Sequence, residues 1–178
     1  KNKPVPLVAR ALRLGIRERT DAAGRVIEPL KRGDVRKAIA RLRAERVESV
    51  AVCFLHSYAN PEHEEIAGRM VEAAGLPVSL SSKVSAEYGE YERFTTAVAN
   101  SALTPPARTY LNNLAREVRS LGIETPVRMM QSNGGVATVE LASRFPVRLA
   151  SSGPAAGVIG ATILASRTGR RRLITLDM

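Results

Sequence analysis

Tryptophan is absent from this chain, and Phe and Tyr together make up only 4% of it. A core must therefore be assembled from Val, Ile, Leu and Ala. Nucleic-acid modules that stack bases on aromatic side chains also lose their usual platform. A single cysteine, Cys53, excludes an internal disulfide; inside an apolar run it reads as a buried thiol of a cytosolic protein. Two histidines and one cysteine support neither a Ser–His–Asp nor a Cys–His arrangement. No apolar run approaches the roughly 20 residues that span a bilayer, and no charged-then-apolar secretory pattern is read at the start. Internal repeats and low-complexity stretches are lacking too. A cytoplasmic location is expected.

What is present is ordinary globular material: 178 residues, 44% of them apolar, enough for one domain or parts of two. The net charge of +10 raises the question of nucleic acid or acidic lipid. The cations are spread along the chain on what read as exposed helix faces, which favours a solvated basic surface.

Leu12–Thr20 alternates Leu12, Leu14 and Ile16 with Arg13, Arg17 and Arg19, the period of a half-buried strand. Asp21–Gly24 is turn chemistry, and Arg25–Glu28 returns antiparallel. Asp34 is the expected N-cap of a helix to about Arg46, with Val35, Ala38, Ile39 and Leu42 on one face. Glu48–Leu55 reads as a central strand buried on both faces. Asn60 and Pro61, followed by Glu62, Glu64 and Glu65, start a helix that Gly75 ends, and Pro77–Leu80 is a short strand. Two helices follow, Ala97–Leu103 and Pro106–Leu121, separated by Pro105 and Pro106. Val127–Gln131 is a strand, Val139–Ser143 a short helix, and Arg144–Leu149 irregular or a short strand. Pro154 opens a small-residue helix as its first residue, and Leu173–Leu176 is a strand delivering Asp177 to its carboxyl end. The alternation of strands and helices argues for an α/β fold with a layered mixed sheet and flanking helices.

Three stretches can carry chemistry. In Gln131-Ser132-Asn133-Gly134-Gly135, directly after a strand, two glycines allow close backbone approach and aim N–H groups at an anion; the competing reading is a tight Asn-Gly turn. Ser151-Ser152-Gly153-Pro154 opens a helix whose first-turn N–H groups can hold a phosphate, although close packing alone would explain its small residues. Asp177 lies where open α/β sheets place ligands and can hold Mg²⁺ directly or through water. His56 and His63 with Glu62, Glu64 and Glu65 match no short metal motif and read as loop and surface residues. A Walker P-loop is missing, because Ser151-Ser152-Gly153 lacks the Gly-Lys-Ser/Thr ending.

Taken together, VAVCFLHSYANPEHE (Val50–Glu64), EYERFTTAVANSALTP (Glu90–Pro105), MQSNGG (Met130–Gly135), SSGPAAGVIGA (Ser151–Ala161) and LITLDM (Leu173–Met178) resemble the hydantoinase/oxoprolinase family. That family includes N-methylhydantoinase, 5-oxoprolinase and a subunit of acetone-type carboxylases. It is similar in turn to the actin, Hsp70 and sugar-kinase superfamily of ribonuclease H-like ATPases. The resemblance implies an internal piece of a longer polypeptide: residues 1–95 from the end of its N-terminal domain, and 96–178 from the start of its main hydantoinase domain, joined near Thr95. In the family the last stretch continues into Gly-Gly-Thr-Ser, a second phosphate loop. The phosphate-binding candidates are thus Ser132, Asn133, Gly134, Gly135, Ser152, Gly153 and Asp177, and by this resemblance Asp177 orients the β- and γ-phosphates and holds Mg²⁺, through water. The chaperones carry Glu just before the helix-opening Pro where this chain has Gly153, so no carboxylate role transfers there.

For the intact parent the resemblance implies ATP- and Mg²⁺-dependent opening of a cyclic amide, activated by phosphorylation of its oxygen. The isolated piece is expected to bind no cofactor and to be inactive. The partners implied are the rest of the same polypeptide, a hydantoinase B-type subunit and a small cyclic amide; neither nucleic acid nor membrane is expected. Two competing readings are a basic nucleic-acid-binding module, motivated by Arg167 and Arg170–Arg172, and a subunit-contact surface on the small-residue helix or Glu90–Thr104.

Overall fold

A computed structural model describes residues 5–176. The chain is mixed α/β and divides into two compact units, Lys1–Pro105 and Pro106–Met178.

In the first unit, strands β1 (Arg19–Thr20) and β2 (Val26–Glu28) form an antiparallel hairpin. Its turn is closed by Asp21, whose Oδ1 accepts from the amides of Ala23 at 3.0 Å and Arg25 at 2.9 Å. The long strand expected over Leu12–Thr20 shrinks to two residues. Leu12, Leu14 and Ile16 do alternate half-buried against exposed arginines, but the returning strand is three residues long and a bulge between Arg19 and Thr20 breaks the register. Helix α1 (Arg32–Ala44) begins ahead of Asp34. Instead of capping the helix, the Asp34 carboxylate takes the Arg17 guanidinium in a two-pronged pair, at 2.7 and 3.0 Å.

Strands β3 (Val50–Val52) and β4 (Val78–Leu80) pair in parallel, with α2 (Glu62–Ala73) as their crossover. The central strand expected over Glu48–Leu55 is thus three residues long and has one ladder neighbour among the described residues. Asn60 starts α2 as read, its Oδ1 accepting from the Glu62 amide at 3.1 Å. Its Nδ2 reaches back to the Gly24 carbonyl at 2.9 Å, tying helix start to hairpin turn. A Cβ at Gly68 would stand 2.7 Å from Leu80 Cδ2, so α2 lies on β4 at a distance that glycine permits. Val35, Val52, Ala67 and Val71 form the core, flanked by Ile16, Leu30, Ile39 and Leu80 among others. A four-residue helix, α3 (Ser81–Val84), follows β4.

The two helices expected around the proline pair are one, α4 (Glu90–Ser120), 31 residues long. The division between the units falls inside it, at Pro105–Pro106. A helix-interior proline costs about 3 kcal/mol, in part because it leaves the carbonyl four residues back without its amide. For Pro105 that carbonyl belongs to Ser101, and the Ser49 hydroxyl donates to it at 2.6 Å. A tertiary hydrogen bond supplies what the helix cannot.

In the second unit, β5 (Arg128–Met130) and β6 (Val136–Thr138) form an antiparallel hairpin. Thr138 then caps α5 (Val139–Arg144) through its hydroxyl. Leu111, Ala137, Val139 and Ala142 make the core, with Ala115, Val127, Met129 and Leu149 against it. Residues Pro146–Leu149 form a 3-10 turn in place of the irregular or extended segment expected there. Helix α6 (Ser152–Thr168) starts two residues before Pro154, which sits third in it and not first. The strand expected over Leu173–Leu176 does not form: no described strand lies beside it to satisfy its backbone, and Ile174 and Leu176 stand exposed. Among the described residues no helix is long and apolar enough to cross a membrane.

Two stability predictions arise. Ser49→Ala strands the Ser101 carbonyl and is expected to lower the unfolding free energy by about 1–2 kcal/mol in urea titrations, whereas Ser49→Thr retains most of it. The Asp34 carboxyl is held at about 2, below its ordinary 3.8, first by the hydrogen bond from Arg17. A carboxylate whose acidity is strengthened by folding stabilises the protein above its unfolded pKa and ceases to as pH falls through the folded value. Asp34→Asn should therefore flatten the stability curve between about pH 4 and pH 2, leaving the values at the acid end unchanged.

Candidate functional site

The Gln131–Gly135 loop joins β5 to β6, and its amides are largely turned inward. Gln131 donates to the Gly135 carbonyl at 2.8 Å, Gly134 to the Gln131 carbonyl at 3.0 Å, and Gly135 to Asn133 Oδ1 at 2.9 Å. Ser132 donates to the Arg148 carbonyl at 2.8 Å, joining the loop to the 3-10 turn ahead of α6. Gly134 has φ +82°, and a Cβ there would lie 2.9 Å from Ile159 Cδ1. Both the backbone and the packing therefore call for glycine. The loop meets α6 at Ile159, seven residues and roughly 10 Å along the axis from Ser152.

The start of α6 is open. Ser151 adopts a left-handed conformation at φ 57°, no side chain caps the helix, and the first turn has no acidic residue. Pro154 contributes no N–H, which leaves the amides of Ser152 and Gly153 as the first-turn donors, and nothing stands within 4 Å of where a Gly153 Cβ would be. The structure thus brings the hairpin loop and α6 into contact, with Ser152 and Gly153 at the uncapped end. Asp177 lies outside the described residues.

The first unit holds a polar cluster that the sequence did not disclose, at the carboxyl ends of β3 and β4. Glu64, read as a surface residue, is completely buried. Its Oε1 accepts from the Phe54 amide at 2.9 Å and from the Ser81 hydroxyl at 2.5 Å, and its Oε2 accepts from the Ser82 amide at 2.9 Å. His63 is buried as well: Nδ1 pairs with Glu18 at 2.8 Å, and Nε2 accepts from the Leu30 amide at 3.3 Å. The backbone donor at Nε2 places the ring proton on Nδ1. These residues were expected in loops and on the surface because they match no short metal motif; they turn inward because Phe54, Ser81 and Ser82, just past β3 and β4, offer donors to Glu64, and Glu18 and Leu30 partner His63. Among the described residues no group of three or more His, Cys, Asp or Glu is placed to hold a metal ion.

Arg93, in the first turn of α4, is 1% exposed. It donates to the carbonyls of Glu87 at 2.9 Å, Tyr88 at 3.3 Å and Phe54 at 3.3 Å, and its guanidinium lies over the rings of Tyr58 and Phe94. Tyr58 also meets Tyr88 and the edge of His56. The Cys53 thiol is pushed up to about 12, first by burial and then by the Glu64 charge, with Arg93 acting the other way, which disfavours the thiolate. The clue in the sequence was Ser85–Thr96, the aromatic-rich segment of an aromatic-poor chain.

Residues 93–178 match the hydantoinase/oxoprolinase family model, and residues 2–75 match the model of the hydantoinase/oxoprolinase N-terminal region. The alpha subunit of caprolactamase from Pseudomonas jessenii is 34% identical over 174 residues, covering 97% of this chain and 25% of that one. The solved structure of that organism's ATP-dependent caprolactamase superposes with a TM-score of 0.83 at 32% identity, over 96% of this chain and 25% of the other. Acetone carboxylase in its nucleotide-free form, from work on ATP-dependent acetone carboxylation, gives 0.78 at 32% identity over 94% of this chain and 24% of that one. The 5-oxoprolinase of Saccharomyces cerevisiae is 38% identical over 137 residues, which are 76% of this chain and 10% of the yeast protein. The chain spans about a quarter of the length of the caprolactamase and carboxylase chains it matches. With both family models matched in chain order and the fold shared with two solved relatives, this chain belongs to the hydantoinase/oxoprolinase family.

Proposed function

We propose that this chain is part of an ATP-dependent enzyme that activates and hydrolyses a cyclic amide, and that by itself it is inactive. The observation that supports this most is the TM-score of 0.83 with an ATP-dependent caprolactamase over 96% of the chain. The yeast 5-oxoprolinase match gives the same class of substrate, a cyclic amide. The acetone carboxylase match concerns a different substrate, so the choice between hydrolysis and carboxylation rests on the two amide-opening relatives. The join between the two family regions is proposed near Thr95, the main hydantoinase domain continuing from there, in an actin-like ATPase architecture.

In this reading the second unit provides part of a nucleotide site. The uncapped first turn of α6 fits an anion: the amides of Ser152 and Gly153 face no side-chain acceptor, no carboxylate sits in the first turn, and Gly153 leaves space beside them. Bound ATP would supply a phosphoryl group to the amide oxygen, which makes the otherwise resonance-stabilised carbon electrophilic enough for water to add and for the ring nitrogen to leave. Ser152 and Gly153 would orient its phosphates, with the Ser132 side chain from the adjacent loop. The inward-turned amides of Gln131, Gly134 and Gly135 act through the shape of the turn, not as donors. Asp177 would hold Mg²⁺, through water. Val158, Ile163 and Leu164 of α6 are exposed apolar side chains; in the parent polypeptide they would be covered by chain beyond these residues, and a hydantoinase B-type subunit would complete a cytoplasmic complex.

The test has two arms. Purified residues 1–178 are expected to show no ATP hydrolysis above background, and robust hydrolysis would overturn the division of the site. In the full-length polypeptide, with 5-oxoproline and caprolactam as substrates, Asp177→Asn is expected to lower ATP-dependent turnover by roughly 10²–10³-fold. Turnover close to that of the unsubstituted enzyme removes Asp177 from the site.

A further inference from the structure

We infer that the carboxyl edge of the β3–β4 pair is a binding site for a small oxyanion, with Arg93 as its cationic donor and His56 as a second polar group. The inference concerns the first unit and does not depend on the nucleotide reading of the second. Open α/β sheets bind ligands outside the carboxyl ends of their parallel strands, and this is the one parallel pair among the described residues.

Among the described residues, two donors at that edge are without a hydrogen-bond partner, and the cation there has no carboxylate. Arg93 is a permanent cation, buried, and no carboxylate pairs with it among the described residues. Glu64, the acid that shares Cys53 with it, has both oxygens committed to Phe54, Ser81 and Ser82. Carbonyls and ring faces occupy two Arg93 nitrogens, but the Nε–H has no hydrogen-bond partner. The Ser82 hydroxyl, in α3 just past β4, has none either. Of three such buried side-chain atoms among the described residues, two lie at this edge. A native fold leaves few polar groups in that condition, and a ligand is a common reason.

His56 adds a backbone argument. It sits at φ 56° in the loop after β3, held there by two amides, Ala59 at 2.9 Å and Asn60 at 3.1 Å, on its carbonyl. Non-glycine residues in that region carry strain and cluster at ligand sites. The ring is set by Tyr58, whose hydroxyl lies 3.4 Å from Nδ1, and Tyr58 is in turn held between Arg93 and Tyr88. A ligand that satisfies the Arg93 Nε–H while neutralising a buried cation is an oxyanion: a carboxylate or a phosphate group. A neutral amide meets the donors but not the charge. Arg93 donates to the carbonyls of Glu87 and Tyr88, and the Tyr88 side chain is 78% exposed, so this segment is the solvent side of the edge.

The experiment is an NMR titration of the ¹⁵N-labelled 178-residue chain with inorganic phosphate and, separately, with acetate, following the Arg93 Nε–H and the His56 ring. One anion or both should give a saturating shift with the same midpoint at the two residues; phosphate alone identifies a phosphoryl ligand, acetate alone a carboxylate. Arg93→Lys, which keeps the charge and loses the Nε–H, is expected to weaken the midpoint by about tenfold or more. If that variant does not fold, Tyr58→Phe keeps the ring stack and should diminish the His56 response while Arg93 still responds. The proposal is overturned if the Arg93 Nε–H is unmoved by either anion, its partner being a bound water only. It is equally overturned if the shift is linear and shared by the exposed arginines, as diffuse binding to a +10 chain would be.

Discussion

The buried carboxylate of Glu64 is the constraint on which the first unit depends. Taking a carboxylate out of water costs several kcal/mol unless directed donors replace its hydration. Here three do: the amide of Phe54 leaving β3, and the hydroxyl of Ser81 and amide of Ser82 leaving β4. One side chain on α2 therefore ties together the ends of both parallel strands, and the crossover helix cannot slide along the pair without losing all three bonds. The close approach of Gly68 to Leu80 fixes the same helix from the apolar side. Polar and apolar restraints on α2 act in the same direction, and the loop after β3 is held in place as a result.

A second economy appears in α4. Two adjacent prolines end most helices, and they do not end this one. Ser49, from the turn before β3, donates to the carbonyl that Pro105 deprives of its usual amide, and the Ser101 hydroxyl donates to Ser49 in turn at 3.0 Å. Within the first unit the helix is thus stitched to the start of β3 by a serine pair, while Arg93 stitches its first turn to Phe54, two residues past β3. The strand is gripped at both ends by one helix.

Much of the local chemistry was legible. Asp21–Gly24 as a turn, Asn60 as a helix start, Gly75 as a helix end at positive φ, and the Asn133-Gly134 turn all follow from short-range rules and stand as read. The misreadings share a cause. The strand over Leu12–Thr20, the doubly buried Glu48–Leu55 and the strand over Leu173–Leu176 were judged by their own periodicity, but strand length is set by the partner, and the partners are three residues long or lacking among the described residues. The buried faces of His63 and Glu64 were missed because acidic and imidazole side chains are interior only where specific donors and acceptors await them, and Leu30, Phe54, Ser81 and Ser82 are far from them in sequence.

By itself the sequence determined the family, through ordered stretches from Val50–Glu64 to Ser151–Ala161, together with an aliphatic α/β core and the turns that punctuate it. Those depend on residue type and spacing, which a chain displays before it folds. Only the tertiary structure decided that α4 runs through its prolines, that Asp34 pairs with Arg17 where a cap was expected, and that Arg93, Tyr58 and His56 meet beside β3 and β4. The physical reason is the same in each case. A hydrogen bond or a charge finds its lowest free energy with whichever partner the packing brings within about 3 Å, and periodicity carries no information about a partner dozens of residues away.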